Sequence, residues 1–221
     1  EHHLIVAHEV INEGHDRSQL TPMAQLTQET LQTADLKVLA DRGYFSGEEI
    51  MKCEQAGVTP LVPKPLTNNA ATTGRFDKRD FHYDAKRDRY ICPAGEQAIW
   101  RFTSIQNGMA IRKYWSSACP KCAIPSDCTT SDYRRLMRWE HEAVIERMQQ
   151  RLDRMPQAGR LRRQTVEHTF GTLKSWMGAT HFLTKRLPGV RTEMSLQVLA
   201  YNLKRVMQIM GVQPLIAAMR A

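Results

Sequence analysis

At 221 residues the chain is long enough to bury a core of its own, and 42% hydrophobic with 24% charged residues is a globular mix, not that of a disordered chain. No apolar run approaches the length of a membrane span, and no secretion signal is visible. The net charge of +8 is concentrated: between Arg134 and Arg163 nine Arg and no Lys face four acids, a local +5 (9 − 4). Such a window suits a phosphate-rich partner such as nucleic acid, and it also describes a solubilising surface.

Leu4-Ile-Val-Ala-His8-Glu-Val10 reads as an interior strand, apolar on both faces at first. Its partner strand is expected upstream, so that the chain enters the fold inside a strand or hairpin. After a turn at Asn12–Asp16, Thr21-Pro22 starts a helix that buries Leu20, Met23, Ala24 and Leu31. His2, His3, His8 and His15 share no face and no ligand spacing, and do not read as a metal site. Leu36–Ala40 is a short strand with Asp41 at its carboxyl end. Ser46 and Glu49 form a capping box for the helix Gly47–Gln55, which stops at Gly57. With the strand Val58–Val62 this makes a β-α-β unit carrying an acid at a strand tip, where α/β sheets place their sites. An acid there is often a mere cap. Because Ser46 already caps the helix, Asp41 is expected to be free for chemistry.

Pro63–Gly74 reads as a loop. From Phe76 to about Thr130 the chain shows short β runs at Phe81–Tyr83, Arg89–Ile91, Ala98–Thr103 and Ile111–Trp115, with Asn107-Gly108 as a hairpin turn. The reading is an inserted small β module with little apolar core. It holds four of the five cysteines: Cys92 in a Cys-Pro-Ala-Gly turn, Cys119-Pro-Lys-Cys122, and Cys128. Four soft ligands fit a structural zinc site; reduced thiols or a redox pair are the alternatives. Cys53, on the capped helix, reads as a buried thiol.

Asp132–Met155 reads as one long helix through Met137, Val144, Met148, Leu152 and Met155, broken at Pro156–Gly159. In the next helix Val166, Phe170 and Leu173 form an apolar face. Arg163, Glu167 and Lys174 fall at i, i+4 and i+11 on another, with Gly171 between them. A carboxylate flanked by two cations, over a position without a side chain, can hold a metal ion beside a phosphate. The same pattern also describes a solvated ion pair. After Pro188-Gly189 a last helix, Thr192 to Met210, buries Leu196, Leu199, Ala200, Leu203, Val206, Met207 and Met210. The whole is an α/β chain in three parts: 1–65, the inserted module 66–130, and a helical part 131–221.

The segment Ala40-Asp41-Arg42-Gly43-Tyr44-Phe45-Ser46 resembles the second-acid segment of the DDE transposases of bacterial insertion sequences. Arg163-x3-Glu167-x6-Lys174 is similar to the last three members of their Tyr-x2-Arg-x3-Glu-x6-Lys signature, with Arg160 in the place of Tyr. Val166-Glu167-His168, Phe170-Gly171 and Leu199–Arg205 resemble the endings of that family, and the Cys92/Cys119/Cys122/Cys128 module resembles an insertion found in one branch. The resemblance covers nearly the whole chain. It implies a ribonuclease H-like fold, N-terminally incomplete here, in which three acids hold two divalent ions, Mg2+ or Mn2+. Asp41 and Glu167 would be two of the acids, and the first Asp is expected upstream of Glu1. Arg163, Lys174, Arg160, Arg162, Arg147 and Arg151 would hold DNA. The implied function is DNA transposition by strand cleavage and strand transfer on double-stranded DNA (transposon ends and target). It would be carried out by a homodimer in the bacterial cytoplasm, away from membranes, with this fragment inactive. Three alternatives are a ribonuclease H-like nuclease without strand transfer, a non-catalytic DNA-binding relic of a transposase, and a zinc-ribbon interaction module.

Overall fold

The computed structural model describes residues 2–65 and 73–220. The middle of the expected Pro63–Gly74 loop, residues 66–72, lies outside them. The chain divides into two compact units, Glu1–Lys64 with Arg147–Ala221, and Pro65–Glu146. No helix among the described residues is long and apolar enough to cross a membrane.

The first unit is built on a β-α-β element. Strands β1 (Leu36–Leu39) and β2 (Val58–Leu61) pair in parallel, Leu36 with Val58 through Leu39 with Leu61, and α2 (Gly47–Gln55) links them. Ile50 and Cys53 of the helix and Val58, Leu61 and Val62 of the strand segment are buried and form the core. Half of the expected capping box is present: Ser46 Oγ accepts from Glu49 N at 3.4 Å. The Glu49 carboxylate does not return to Ser46. It accepts from Thr21 N at 3.0 Å and from Lys52 Nζ at 2.9 Å. Glu49 thus satisfies a first-turn N–H of α1 (Leu20–Leu31), which would otherwise lack an acceptor. Leu20 and Ala24 are buried as expected, but Leu31, in the last turn before left-handed Gln32, is exposed.

Further expectations fail in this unit. Leu4–Val10 is not a strand and forms no ladder. It runs antiparallel to α6 (Leu187–Met210), whose side chains take up its backbone. Asn202 accepts from Ile5 N at 2.9 Å and donates to Ile5 O at 2.7 Å. Tyr201 Oη donates to His3 O, Arg205 to His2 O, and Arg191 to Val10 O. Helix α6 also begins before Thr192. Pro188, taken as a break, sits in its first turn, where a missing N–H costs nothing. Of its expected core positions, Leu196, Leu199, Ala200, Leu203 and Met210 are exposed and Val206 and Met207 are half-buried; the buried residues are instead Val198 and Tyr201. A short α7 (Val212–Arg220) follows.

The second unit is an antiparallel sheet in the order β3 (His82–Asp84), β4 (Arg89–Ile91), β5 (Gln97–Gln106), β6 (Met109–Trp115), β7 (Leu136–Trp139). Asn107 and Gly108 turn β5 into β6 with φ of 50° and 81°, the positive pair that a two-residue primed turn requires. The expected long helix from Asp132 is corrected here. Leu136–Trp139 pairs with β6, and α3 starts only at Glu142 and ends at Asp153. The physical reason is alternation: Leu136 and Arg138 are buried and Met137 between them is exposed. The sheet therefore continues past Thr130. It also has a core of its own, against expectation: Phe81, Tyr90, Ala98, Tyr114 and Leu136, with Cys92 and Cys128 packed against it.

Candidate functional site

Ala40 N donates to Leu61 O at 3.2 Å, which makes Asp41 the first residue beyond the carboxyl edge of β1–β2. Its Oδ1 accepts from Gly43 N at 2.8 Å and caps the short helical turn Arg42–Tyr44. Asp41 therefore does have a capping role, contrary to the expectation from Ser46, although its side chain stays exposed to solvent. Gly43 follows from this geometry: a Cβ there would stand 3.0 Å from Asp41 Oδ1. One turn on, burial raises the pKa of Tyr44, and the carboxylates of Asp16 and Asp41 raise it further. Asp16, assigned from sequence to a turn, is thus a neighbour of this corner. Nothing in its local sequence signals that.

Glu167 lies in a helical stretch of alternating pitch: α4 (Ala158–Arg162), a π turn (Arg163–Glu167), α5 (His168–Gly171) and a second π turn (Thr172–Trp176). The wider turn changes which cation stands beside the acid. Arg162 Nη2, not Arg163, lies 3.9 Å from Glu167 Oε1. Hydroxyls support the altered pitch, with Thr165, Thr169 and Thr172 each donating to the carbonyl four residues back. Arg160, Arg163, Glu167 and Lys174 are exposed, and Arg162 is half-buried. A Cβ added to Gly171 would meet no atom within 4 Å, so the surface there is open.

A cavity of about 860 Å³ connects these elements. Asp16 and Tyr44 line it from the Asp41 side, Val166, Phe170 and Leu173 from the Glu167 helix, and Ile5 from the N-terminal segment; Asp41 and Glu167 flank these residues in sequence and do not themselves line it. Among the described residues no three His, Cys, Asp or Glu side chains are grouped to hold a metal ion as they stand. The exposed carboxylates of Asp41 and Glu167 are hard oxygen donors, of the kind that Mg2+ and Mn2+ prefer.

Two of the expected DNA-facing cations are engaged elsewhere. Arg147 Nη2 lies 2.7 Å from Glu54 Oε2, and Arg151 bonds Glu54 Oε1. Burial works to raise the pKa of Glu54, but hydrogen bonds and charge from the two Arg outweigh it and hold it below the usual carboxylate value. They tie α3 to α2, a contact between residues far apart in sequence that composition alone could not reveal.

In the sheet unit Cys92, Cys119, Cys122 and Cys128 line one cavity together with Phe76 and Phe81, and none of the four is in a disulfide.

A family model described as a transposase DDE domain matches residues 91–207. That span includes the four cysteines, Glu167 and Lys174, and begins after Asp41. No curated protein and no solved structure matches the chain.

Proposed function

The chain belongs to the transposase DDE-domain family, and on that premise we propose that it takes part in DNA transposition, with Asp41 and Glu167 as two of the acids that hold divalent ions at the scissile phosphate. The observation that carries this reading is the shared cavity, bordered by the turn after Asp41 and by the Glu167 helix. The parallel β1–β2 pair with its helical crossover is in keeping with a ribonuclease H-like core.

In this mechanism the oxygen of a water or of a 3′-hydroxyl gives up its proton to solvent and attacks phosphorus in line, the bond to the opposite 3′-oxygen breaks, and that oxygen takes up a proton from solvent. Bound Mg2+ or Mn2+ would supply Lewis-acid stabilisation of the charge that develops on the phosphoryl oxygens. The residues of the chain do the rest. Asp41 is held by the Gly43 N–H, which fixes the direction of its free lone pairs. Arg162 approaches Glu167 and limits where its carboxylate can swing. Arg160, Arg163 and Lys174 are exposed cations suited to the DNA backbone on either side of the reacting bond. With Arg147 and Arg151 engaged by Glu54, these three carry the DNA contact.

The test is nicking and joining of labelled duplex DNA with Mg2+ or Mn2+. Asp41→Asn keeps an oxygen to accept from Gly43 N but removes the charge, and Glu167→Gln does the same for the helix. In a chain that cleaves DNA, both variants should bind DNA like the parent and lose cleavage. Full cleavage by either variant would overturn the assignment. Each of Arg163→Gln and Lys174→Gln should flatten the logarithmic salt dependence of binding by about one unit.

A further inference from the structure

We propose that Cys92, Cys119, Cys122 and Cys128 form a tetrathiolate site for one structural Zn2+ that closes the end of the second unit. The inference stands apart from the transposition reading, since none of these residues belongs to the proposed DNA-cleaving site.

Three observations carry it. The first is convergence. Four cysteines from separate parts of the sequence line one cavity of about 30 Å³, enough for a single ion-sized occupant. All four are free thiols.

The second is backbone geometry. Each thiol sits at a tight turn and not in a strand. Gly95 N donates to Cys92 O at 2.8 Å, Cys122 N to Cys119 O at 3.1 Å, and Cys128 N to Pro125 O at 3.1 Å. Cysteines that serve only as small apolar filling need no such turns. A metal knuckle does, because two ligands a few residues apart must aim at one point.

The third is the chain they sit on. The connection from Ser116 to Arg135, between β6 and β7, contains one short helical turn at Cys119–Lys121 and no strand. A connection of that length is rarely left unsecured in a compact unit. Among the described residues it is tied to the rest of the unit by Phe76 N to Asp127 O at 2.7 Å, Arg134 to Phe76 O, Arg75 to Ser126 O and Arg101 to Ser117 Oγ. Three of the four cysteines lie in this connection, and Cys92 lies on the turn that leaves the sheet core. An ion bound by all four would staple one to the other.

Chemistry favours a cation over four uncharged thiols. Four thiolates gathered at one point would repel one another, and a dication removes that penalty. On binding, four protons pass to solvent, four S–Zn bonds form, and no electron is transferred. Since no three of these groups are close enough to hold an ion as they stand, the thiols must swing inward on the ion. A soft four-sulfur set with tetrahedral closure selects zinc over the hard ions proposed for the carboxylates.

The experiment is elemental analysis of the full chain, purified under reducing conditions without added metal, followed by a count of thiols that react before and after chelation. About one zinc per chain is expected, with four thiols protected until a chelator removes the ion. Exchange for Co2+ should give a sulfur-to-metal charge-transfer absorption that weakens in each Cys→Ser variant. If those variants fail to fold, the chelation result on the unaltered chain still decides. A folded chain without zinc whose four thiols react at the rate of free cysteine would overturn the proposal. So would a Cys119–Cys122 disulfide in the same preparation.

Discussion

Arg162 and Glu167 face each other at 3.9 Å across a π-helical turn, five positions apart in the chain. A regular α-helix would have offered Arg163 instead, at four. The π turn thus assigns the two arginines different work: Arg162 stays half-buried beside the carboxylate, and Arg163 is released to solvent. Single π turns of this kind concentrate at functional sites.

The pair is long and Glu167 is well exposed, so its worth to the fold is small. Arg162→Ala should change unfolding free energy by no more than about 0.5 kcal/mol. Its effect should appear in the Mn2+ dependence of cleavage, with a higher metal concentration needed for half-maximal rate. An unchanged metal titration would mean that Arg162 does not position Glu167.

Gly43 tests the other acid. An alanine Cβ would stand 3.0 Å from Asp41 Oδ1, and the carboxylate would have to give by a few tenths of an ångström. The backbone there is not left-handed, so alanine itself adds no backbone strain. Gly43→Ala should leave the melting temperature nearly unaltered and lower the cleavage rate. Equal rates at equal stability would show that the position of Asp41 is not critical.

Gly171 separates fold from ligand. It lies within a helical stretch, and an added Cβ meets nothing within 4 Å. Gly171→Ala should stabilise the chain by about 0.4–1 kcal/mol by reducing the freedom of the unfolded state. If DNA passes over this open position, the same variant should bind it more weakly. Greater stability with unchanged affinity would remove Gly171 from the interface.

Glu54 predicts an acid limb. Its pKa is depressed when folded because Arg147 and Arg151 outweigh burial. A depressed carboxylate contributes stability that is fully present above its unfolded value, and that stability is lost as pH falls through the folded value. The loss should therefore begin below about pH 4.5, its unperturbed value. Glu54→Gln should be less stable than the parent at neutral pH, by about 1–2 kcal/mol after allowance for the exposure of Arg147. The two stability curves should converge in acid. Parallel curves across that range would refute the assignment.

The β-α-β unit was legible because its signals are local: a strand-length apolar run, a Ser cap, a Gly stop. The hairpin at Asn107-Gly108 was legible for the same reason. Leu136–Trp139 was not, since Met137 fits a helical stripe as readily as a strand, and only the free edge of β6 decides between them. The π turns were hidden because a 3.6-residue period assumes the pitch it is meant to detect. Threonines at 165, 169 and 172 were the one available hint. The engagement of Arg147 and Arg151 depends on Glu54, some ninety positions away in sequence.

The way α6 holds the N-terminal segment has an evolutionary side. A β-ladder is written in backbone atoms, which substitution cannot erase, Pro aside. Here each tie is a side chain: Asn202 for Ile5, Tyr201 for His3, Arg205 for His2, Arg191 for Val10. Each can be lost to a single codon change without disturbing the others. The segment is thus fastened by a row of separable buttons, not a seam, and selection can loosen or tighten its grip one step at a time.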